Sequence, residues 1–340
     1  MSGDIPGLDL SRLGAWFVDH VPGVASPDLT ARHISGGKSN LTYEVTDGTS
    51  AWIVRRPPLG HVLATAHDMA REHRVISALR DTVVPVPVTY GLCEDVEVVG
   101  APFFVMERVD GTPYRSSREL EALGPVRTRV ISERLVDTLV ALHHVDPDSV
   151  GLTDFGRPEG FLARQVERWK KQMDASYHRD LPAADELHAR LAASVPPQGA
   201  TGIVHGDFRL DNALVGAGTD RINAVLDWEM ATLGDPLADL ALTLVYQRLA
   251  GFADGTVSDV SNAPGYLTEA EIVARYDAAS GRDLSRLGFY LGLSAYKLAA
   301  ILEGIHYRYL AGQTVGEGFD TIGDAIHPLL DAGLSALEEH

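Results

Sequence analysis

The stretch His205-Gly206-Asp207-Phe208-Arg209-Leu210-Asp211-Asn212, followed fifteen residues later by Asp227 in Val-Leu-Asp-Trp-Glu, constrains this chain more than any other. Two β-rich runs flank it within residues 202–230, so its polar residues are expected on loops against hydrophobic strands. Asp and Asn on loops have an ordinary use, closing turns and capping the next element, and one Asp alone would ask for nothing more. The ordered set asks for more. Phosphoryl transfer from a nucleotide needs a carboxylate to position a hydroxyl and oxygen ligands to hold Mg2+ between phosphates, and H-x-D-x4-N with an Asp after a β-run supplies both.

Composition bounds the surroundings of this loop. The 340 residues carry 29 Lys+Arg against 47 Asp+Glu, a formal charge of −18, and four of the basic residues are lysines: Lys38, Lys170, Lys171 and Lys297. A nucleic-acid binder needs a basic stripe for phosphate contacts, so no nucleic-acid partner is expected. Cys93 is alone, which excludes an internal disulfide and a multi-cysteine metal site. No run approaches a membrane span and the first residues do not read as a signal peptide, so a cytoplasmic protein without a membrane partner is the expectation. Oligomeric state is not legible.

Along the chain, residues 8–20 have amphipathic helical spacing, and 33–57 read as three short strands of an antiparallel sheet with a Gly-Gly turn, ended by Pro57 and Pro58. Residues 66–79 return to a helical period. Extended, Pro-punctuated segments follow up to Gly111. Beyond it the chain reads as helices over 118–145, 160–176, 185–194, 235–250, 269–279, 285–311 and 320–338, with no internal repeat. Asp235 suits a helix N-cap with Pro236 at the first helical position, and Asp239 falls in the first turns, both as support for the loop. Upstream, Gly36-Gly37-Lys38-Ser39-Asn40 between two strands suits either a plain hairpin turn or a cradle in which backbone N–H groups approach phosphates.

The phrases SGGKSNLTYEV, WIVRRPP, AREHRVISAL, FFVMERVDG, IVHGDFRLDNALV and VLDWEMATLGDPLADLA, in this order and spacing, resemble the aminoglycoside phosphotransferase and choline kinase family over about residues 32–310. Within it the chain is most similar to the branch that includes kinase-like domains fused to acyl-CoA dehydrogenases. The resemblance implies an α+β, bilobal protein-kinase-like fold. Residues 1–107 would form a small antiparallel-sheet N-lobe with the phosphate loop and strand cation, and 108–340 a mostly helical C-lobe with the catalytic loop, metal site and substrate helices. It implies Asp207 as catalytic base or hydroxyl-orienting carboxylate, Asn212 and Asp227 as Mg2+ ligands, and His205 as a structural brace. ATP would be held by Gly36, Gly37, Lys38, Ser39 and Asn40, by Arg55 paired to Glu72, and by Met106 with the backbone of Glu107 and Val109 at the adenine. The strand cation departs from the lysine of protein kinases. Arg can serve as a bidentate phosphate fork, and strand alternation sends Arg55 and Arg56 to opposite faces, one inward and the other to solvent.

The expected function is an ATP-dependent phosphotransferase acting on a hydroxyl of a small molecule. A hydroxyacyl or hydroxy-acid metabolite ranks first, an aminoglycoside or other antibiotic second, and a nucleotide-binding pseudokinase last. A protein kinase is disfavoured, because Asp227 is followed too soon by Gly234-Asp235-Pro236 to leave a peptide platform. Trp169, Tyr246, Tyr290, Tyr296, Glu303, His306 and Arg308 are available to line an acceptor pocket, although aromatic residues at helical spacing are more often core. In so acidic a chain Arg55, helped by Lys38 and by Mg2+, has to neutralise a triphosphate. ATP affinity is therefore expected to fall steeply when Mg2+ is chelated; calorimetric titration with equal affinities in Mg2+ and in chelator would contradict this.

Overall fold

The structure is a computed structural model that describes residues 5–34, 40–60, 67–176, 178–197, 199–251, 258–313 and 319–339. It divides into two compact units, residues 1–111 with 223–231, and residues 112–222 with 232–340. Residues 223–231, which contain Asp227, therefore group with the N-terminal part of the chain.

The first unit is built on helix α1 (Leu10–His20), strands β1 (Thr30–His33), β2 (Leu41–Thr46) and β3 (Ala51–Arg56), helix α2 (Met69–Leu79), strand β4 (Thr89–Cys93), a four-residue helix α3 (Val96–Val99) and strand β5 (Phe103–Glu107). The five strands form one antiparallel sheet in the order β1-β2-β3-β5-β4. Alternation along β3 and β5 sorts their side chains. Trp52, Val54, Phe103 and Val105 join Leu13 and Phe17 of α1 in one buried cluster, with the Phe17 and Trp52 rings edge to face at 5.5 Å. On the opposite face Phe104 meets His73 of α2. Asp9 caps α1 by accepting from the Ser11 and Arg12 N–H groups, and Asp68 caps α2 by accepting from Arg71.

The same alternation separates the two arginines. Arg55 points to the α2 side, as argued below. Arg56 is 5% exposed, so the expectation of a solvated surface residue is wrong. Its guanidinium donates to the carbonyls of Gly7, Pro57 and Val99, the last at 2.8 Å, and so ties the chain entering α1 to the C-terminus of α3. A buried arginine survives here because main-chain oxygens replace water. Helix α3 interrupts a segment expected to be wholly extended; Asp95 accepts from the Glu97 N–H at its start, and Gly100, left-handed at φ 84°, ends it.

The second unit is largely helical. It contains α4 (Ser117–Glu121), α5 (Pro125–His144), α6 (Phe161–Ala175), α7 (Pro182–Ala193), strands β6 (Gly202–Val204) and β7 (Ala213–Val215), then, past β8 (Ile222–Val225, mostly in the first unit), strand β9 (Thr232–Gly234) and helices α8 (Leu237–Ala250), α9 (Glu269–Ser280), α10 (Leu287–Leu310) and α11 (Ile326–Glu339). The helix expected over 118–145 is two helices, because Gly124 adopts φ 84° and Pro125 starts α5 where a missing N–H costs nothing. Helix α7 likewise starts at its proline, ahead of the expected residue 185. Helix α10, buried along most of its length, is the axis on which α6, α8 and α11 pack. Strands β6 and β9 pair antiparallel, Ile203 opposite Leu233. Gly234 is required there, since a Cβ would lie 2.7 Å from the Phe161 ring. Among the described residues no helix is long and apolar enough to cross a membrane.

Replacing Arg56 with Met should strand several buried carbonyls and lower stability by about 2–4 kcal/mol. Thermal or urea unfolding of the variant checks this, and an unchanged midpoint would refute the tie between α1 and α3.

Candidate active site

The loop after β6 is held from one stripe of α8. Residues 239, 243 and 246 are spaced four and three apart and share a helix face. Asp239, fully buried, accepts the His205 N–H on Oδ2 at 2.6 Å and the Gly206 N–H on Oδ1 at 2.8 Å. Thr243 donates to the Phe208 carbonyl at 2.8 Å, and the Tyr246 hydroxyl donates to Asp207 Oδ1 at 2.7 Å. Gly206 stands at φ 86°, a left-handed conformation that suits glycine. From α10, Lys297 Nζ donates to the Gly206 carbonyl at 2.7 Å. His205 is fully buried, and its Nδ1 accepts the Asp207 N–H at 3.2 Å. Asp235 lies one position further from α8 than expected but still accepts the Leu237 N–H, and its other oxygen takes the Tyr290 hydroxyl at 2.8 Å.

Asp207 and Asn212 come together as their spacing suggests. A 3-10 turn over Leu210–Asn212 swings Asn212 back, and its Nδ2 donates to both the carbonyl and Oδ2 of Asp207, at 2.9 and 3.0 Å. The Asn212 amide oxygen is thereby turned away from Asp207. Arg209 Nε lies 3.6 Å from Asp207 Oδ2, its NH2 pairs with Asp211 at 2.7 Å, and its guanidinium rests on the Tyr246 ring. Burial pushes the Asp207 carboxyl up, but the Arg209 charge, the Tyr246 hydrogen bond and the Lys297 charge outweigh it and hold its pKa below the ordinary carboxylate value. The result is an ionised carboxylate in a largely enclosed loop.

A second cluster lies in the first unit. Arg55, 8% exposed, donates from Nε to Glu72 Oε2 at 2.9 Å and from NH2 to Asp227 Oδ1. Burial opposes its charge, yet Glu72, Asp227 and Glu229 together keep the guanidinium more firmly protonated than usual. Asp227 itself is left-handed at φ 66°, a conformation that Asp tolerates better than most residues. The next residue, Trp228, is fully buried and anchors the turn through Nε1 to the Val225 carbonyl at 3.0 Å. Asp227 lies in the first unit and Asn212 in the second. Among the described residues no group of three His, Cys, Asp or Glu side chains forms a ready-made metal cage.

The remaining expected nucleotide residues divide. Gly36, Gly37, Lys38 and Ser39 lie outside the described residues. Asn40 is buried and its side chain is committed internally, Nδ2 to Glu229 Oε2 at 2.9 Å and Oδ1 to His67 Nδ1 at 2.8 Å. Met106 is buried in the sheet opposite Ile53. The Glu107 N–H is taken by the Val88 carbonyl at 2.7 Å, whereas the Val109 N–H makes no hydrogen bond among the described residues. Of the side chains considered for an acceptor pocket, Tyr246 touches Asp207 and Trp169 lies beneath the Lys297 ammonium. Tyr296 is core, and Glu303 is fully buried against Arg179, at 3.1 and 2.7 Å. The sequence reading passed over Arg209 and Lys297. The signal for Lys297 was a lone charge inside an apolar helical run.

The model of the phosphotransferase enzyme family (APH) matches residues 30–290, and the chain belongs to that family. The chain is 35% identical over 337 residues to acyl-CoA dehydrogenase family member 11 of Rattus norvegicus, a match that covers 96% of this chain and 43% of that protein. It therefore spans less than half the length of this relative. A crystal structure from Ralstonia eutropha JMP134, provisionally named an aminoglycoside phosphotransferase, superposes with a TM-score of 0.84 at 33% identity and covers 97% of this chain and 98% of that one. A thermostable mutant of aminoglycoside phosphotransferase APH(4)-Ia in a ternary complex with AMP-PNP and hygromycin B has a TM-score of 0.61 at 15% identity, over 96% and 98% of the two chains. The fold is thus the α+β, bilobal protein-kinase-like one, with an antiparallel-sheet unit and a mostly helical unit.

Asp239→Asn would put an NH2 donor against one of the two N–H groups the carboxylate now accepts, at a cost of about 3 kcal/mol near pH 7. Burial works against the ionised Asp239, but the hydrogen bond from the His143 ring, helped by the Gly206 N–H, sets its pKa below the unfolded value. A depressed carboxyl contributes stability that is complete above about pH 4 and is lost as pH falls through the folded value. Chemical denaturation at several pH values should show a less stable variant with a flatter acid limb; a limb as steep as that of the unsubstituted protein would contradict this.

Proposed function

We propose that this member of the phosphotransferase enzyme family transfers the γ-phosphoryl group of ATP to a hydroxyl of a small metabolite, a hydroxyacyl or hydroxy-acid compound ranking first. The observation that carries the reading is Asp207: an ionised carboxylate whose two oxygens are oriented by Tyr246 and Asn212. Each oxygen keeps a further lone pair for an acceptor O–H. In this reading the acceptor oxygen attacks the γ-phosphorus, the bond to the ADP oxygen breaks, and the acceptor proton passes to Asp207. In a loose transition state that proton leaves late, so placement of the carboxylate matters more than its basicity.

The other site roles are part of the same proposal. Asn212 and Asp227 would hold Mg2+, which when bound supplies positive charge along the phosphates. Arg55, kept charged and oriented by Glu72, would meet the α- and β-phosphates, and the glycine-rich segment Gly36 to Ser39 would approach them with main-chain N–H groups. The Val109 N–H is the hinge donor left for adenine, while the Glu107 N–H is already engaged. The chain carries Arg55 and Asp227 in one unit and Asp207 and Asn212 in the other.

Charge around Asp207 bears on the acceptor. Arg209 and Lys297 flank it, which disfavours a polycationic aminoglycoside and suits a neutral or oxygen-rich alcohol. The similarity to acyl-CoA dehydrogenase family members points the same way. The test is an ADP-release screen with ATP and Mg2+ over hydroxyacyl-CoAs, hydroxy acids, choline-like alcohols, macrolides and aminoglycosides. Turnover of an aminoglycoside alone would overturn the ranking, and nucleotide-induced thermal stabilisation without turnover of any alcohol would mark a pseudokinase. Asp207→Ala should lower kcat by about 10^2 to 10^4 while AMP-PNP still raises the melting temperature; retained turnover would remove Asp207 from its role.

A further inference from the structure

Lys297 is the one charged residue between Leu287 and Leu302, in a helix whose neighbouring side chains are nearly all buried. Lys297 itself is part-buried, and an ammonium drawn even partly out of water needs polar partners that a methionine or leucine would not. Its surroundings supply them. Nζ donates to the Gly206 carbonyl at 2.7 Å and lies 5.5 Å from the centre of the Trp169 ring. That carbonyl belongs to the same peptide group as the Asp207 N–H, which His205 Nδ1 accepts. The peptide plane that introduces Asp207 is thus pinned at both ends, by Lys297 on its oxygen and His205 on its nitrogen. The preceding peptide is pinned by Asp239 through the Gly206 N–H. Gly206, left-handed and without a Cβ, is the residue about which this plane would otherwise turn.

We propose that Lys297 is a positioning residue for phosphoryl transfer: by holding the Gly206 carbonyl it fixes the peptide that aims the Asp207 carboxylate. This rests on the role proposed for Asp207 above. Lys297 touches no reacting atom. Without it the carbonyl loses its charge-assisted partner, the plane can rotate about the flanking bonds of Gly206 and Asp207, and the carboxylate leaves its line to the acceptor. A misplacement of this kind costs on the order of 100-fold in rate.

The experiment compares the unsubstituted full chain with Lys297→Met, close in shape but uncharged, and Lys297→Arg, which keeps charge and donors. Three readouts are taken: ADP release with ATP and Mg2+, using water and the alcohol panel as acceptors; AMP-PNP affinity; and amide hydrogen exchange of the peptide covering residues 205–208. For Lys297→Met, kcat should fall about 100-fold with the KM for ATP and the AMP-PNP affinity within about threefold of the unsubstituted chain. Exchange at 205–208 should quicken at least about tenfold, while α10 away from residue 297 keeps its protection. Lys297→Arg should recover most of both effects. Unchanged kcat or unchanged exchange in Lys297→Met overturns the proposal, as does a loss of kcat matched by a loss of AMP-PNP binding. Should the methionine variant not fold, Lys297→Arg decides: a folded arginine variant with kcat as low as Asp207→Ala overturns it. If the unsubstituted chain releases no ADP with any acceptor, the proposed function fails and the transfer role of Lys297 with it, whereas failure of the exchange prediction alone removes Lys297 and leaves that function standing.

Discussion

Two main-chain N–H groups, those of His205 and Gly206, converge on one buried carboxylate, Asp239, and the loop that carries Asp207 is held to that charge. A carboxylate in the interior is tolerable when hydrogen bonds replace its hydration. Asp239 has its two N–H donors, with the His143 ring 3.5 Å away and itself bonded to the Tyr276 hydroxyl. The arrangement makes the loop expensive to deform: moving Gly206 would take one N–H donor from the carboxylate and leave the amide without a partner. The rest of the α8 stripe, Thr243 and Tyr246, extends the same hold to Phe208 and Asp207. Rigidity at Asp207 thus originates in buried polar bonds of the neighbouring helix, with the local turn contributing the left-handed glycine that lets the chain follow them.

The first unit uses charge differently. Arg55 is surrounded by Glu72, Asp227 and Glu229, an excess of negative charge about a single guanidinium. Such a cluster keeps the guanidinium charged although burial opposes it. The two arginines of β3 show how strand alternation divides labour between adjacent identical residues: one serves this cluster, the other closes off main-chain carbonyls on the far face of the sheet.

Several features were legible from residues alone because their cause is local. The order of elements follows from hydrophobic period and from Gly and Pro. The pairing of Asp207 with Asn212 follows from a five-residue separation that one tight turn closes. Other signals were present and needed more weight: Gly124-Pro125 marks the break between α4 and α5, and Asp95 with Gly100 brackets α3. Arg56 was misread because period two assigns a face without saying what covers it; α3 and the chain before α1 lie over that face and make it interior.

The sequence by itself determined which carboxylates and amides stand on loops, which family the ordered motifs resemble, and that the third strand carries arginines and no lysine. Tertiary structure decided which groups orient them. Tyr246 and Lys297 gain their place beside the Asp207 loop because α8 and α10 fold against a strand-loop-strand segment well separated in the chain from α10 and, for α8, facing it through a single stripe. Spacing encodes which residues share a helix face, but what that face meets depends on long-range packing. For a part-buried charge such as Lys297, the Gly206 carbonyl that partners it is supplied by that packing alone.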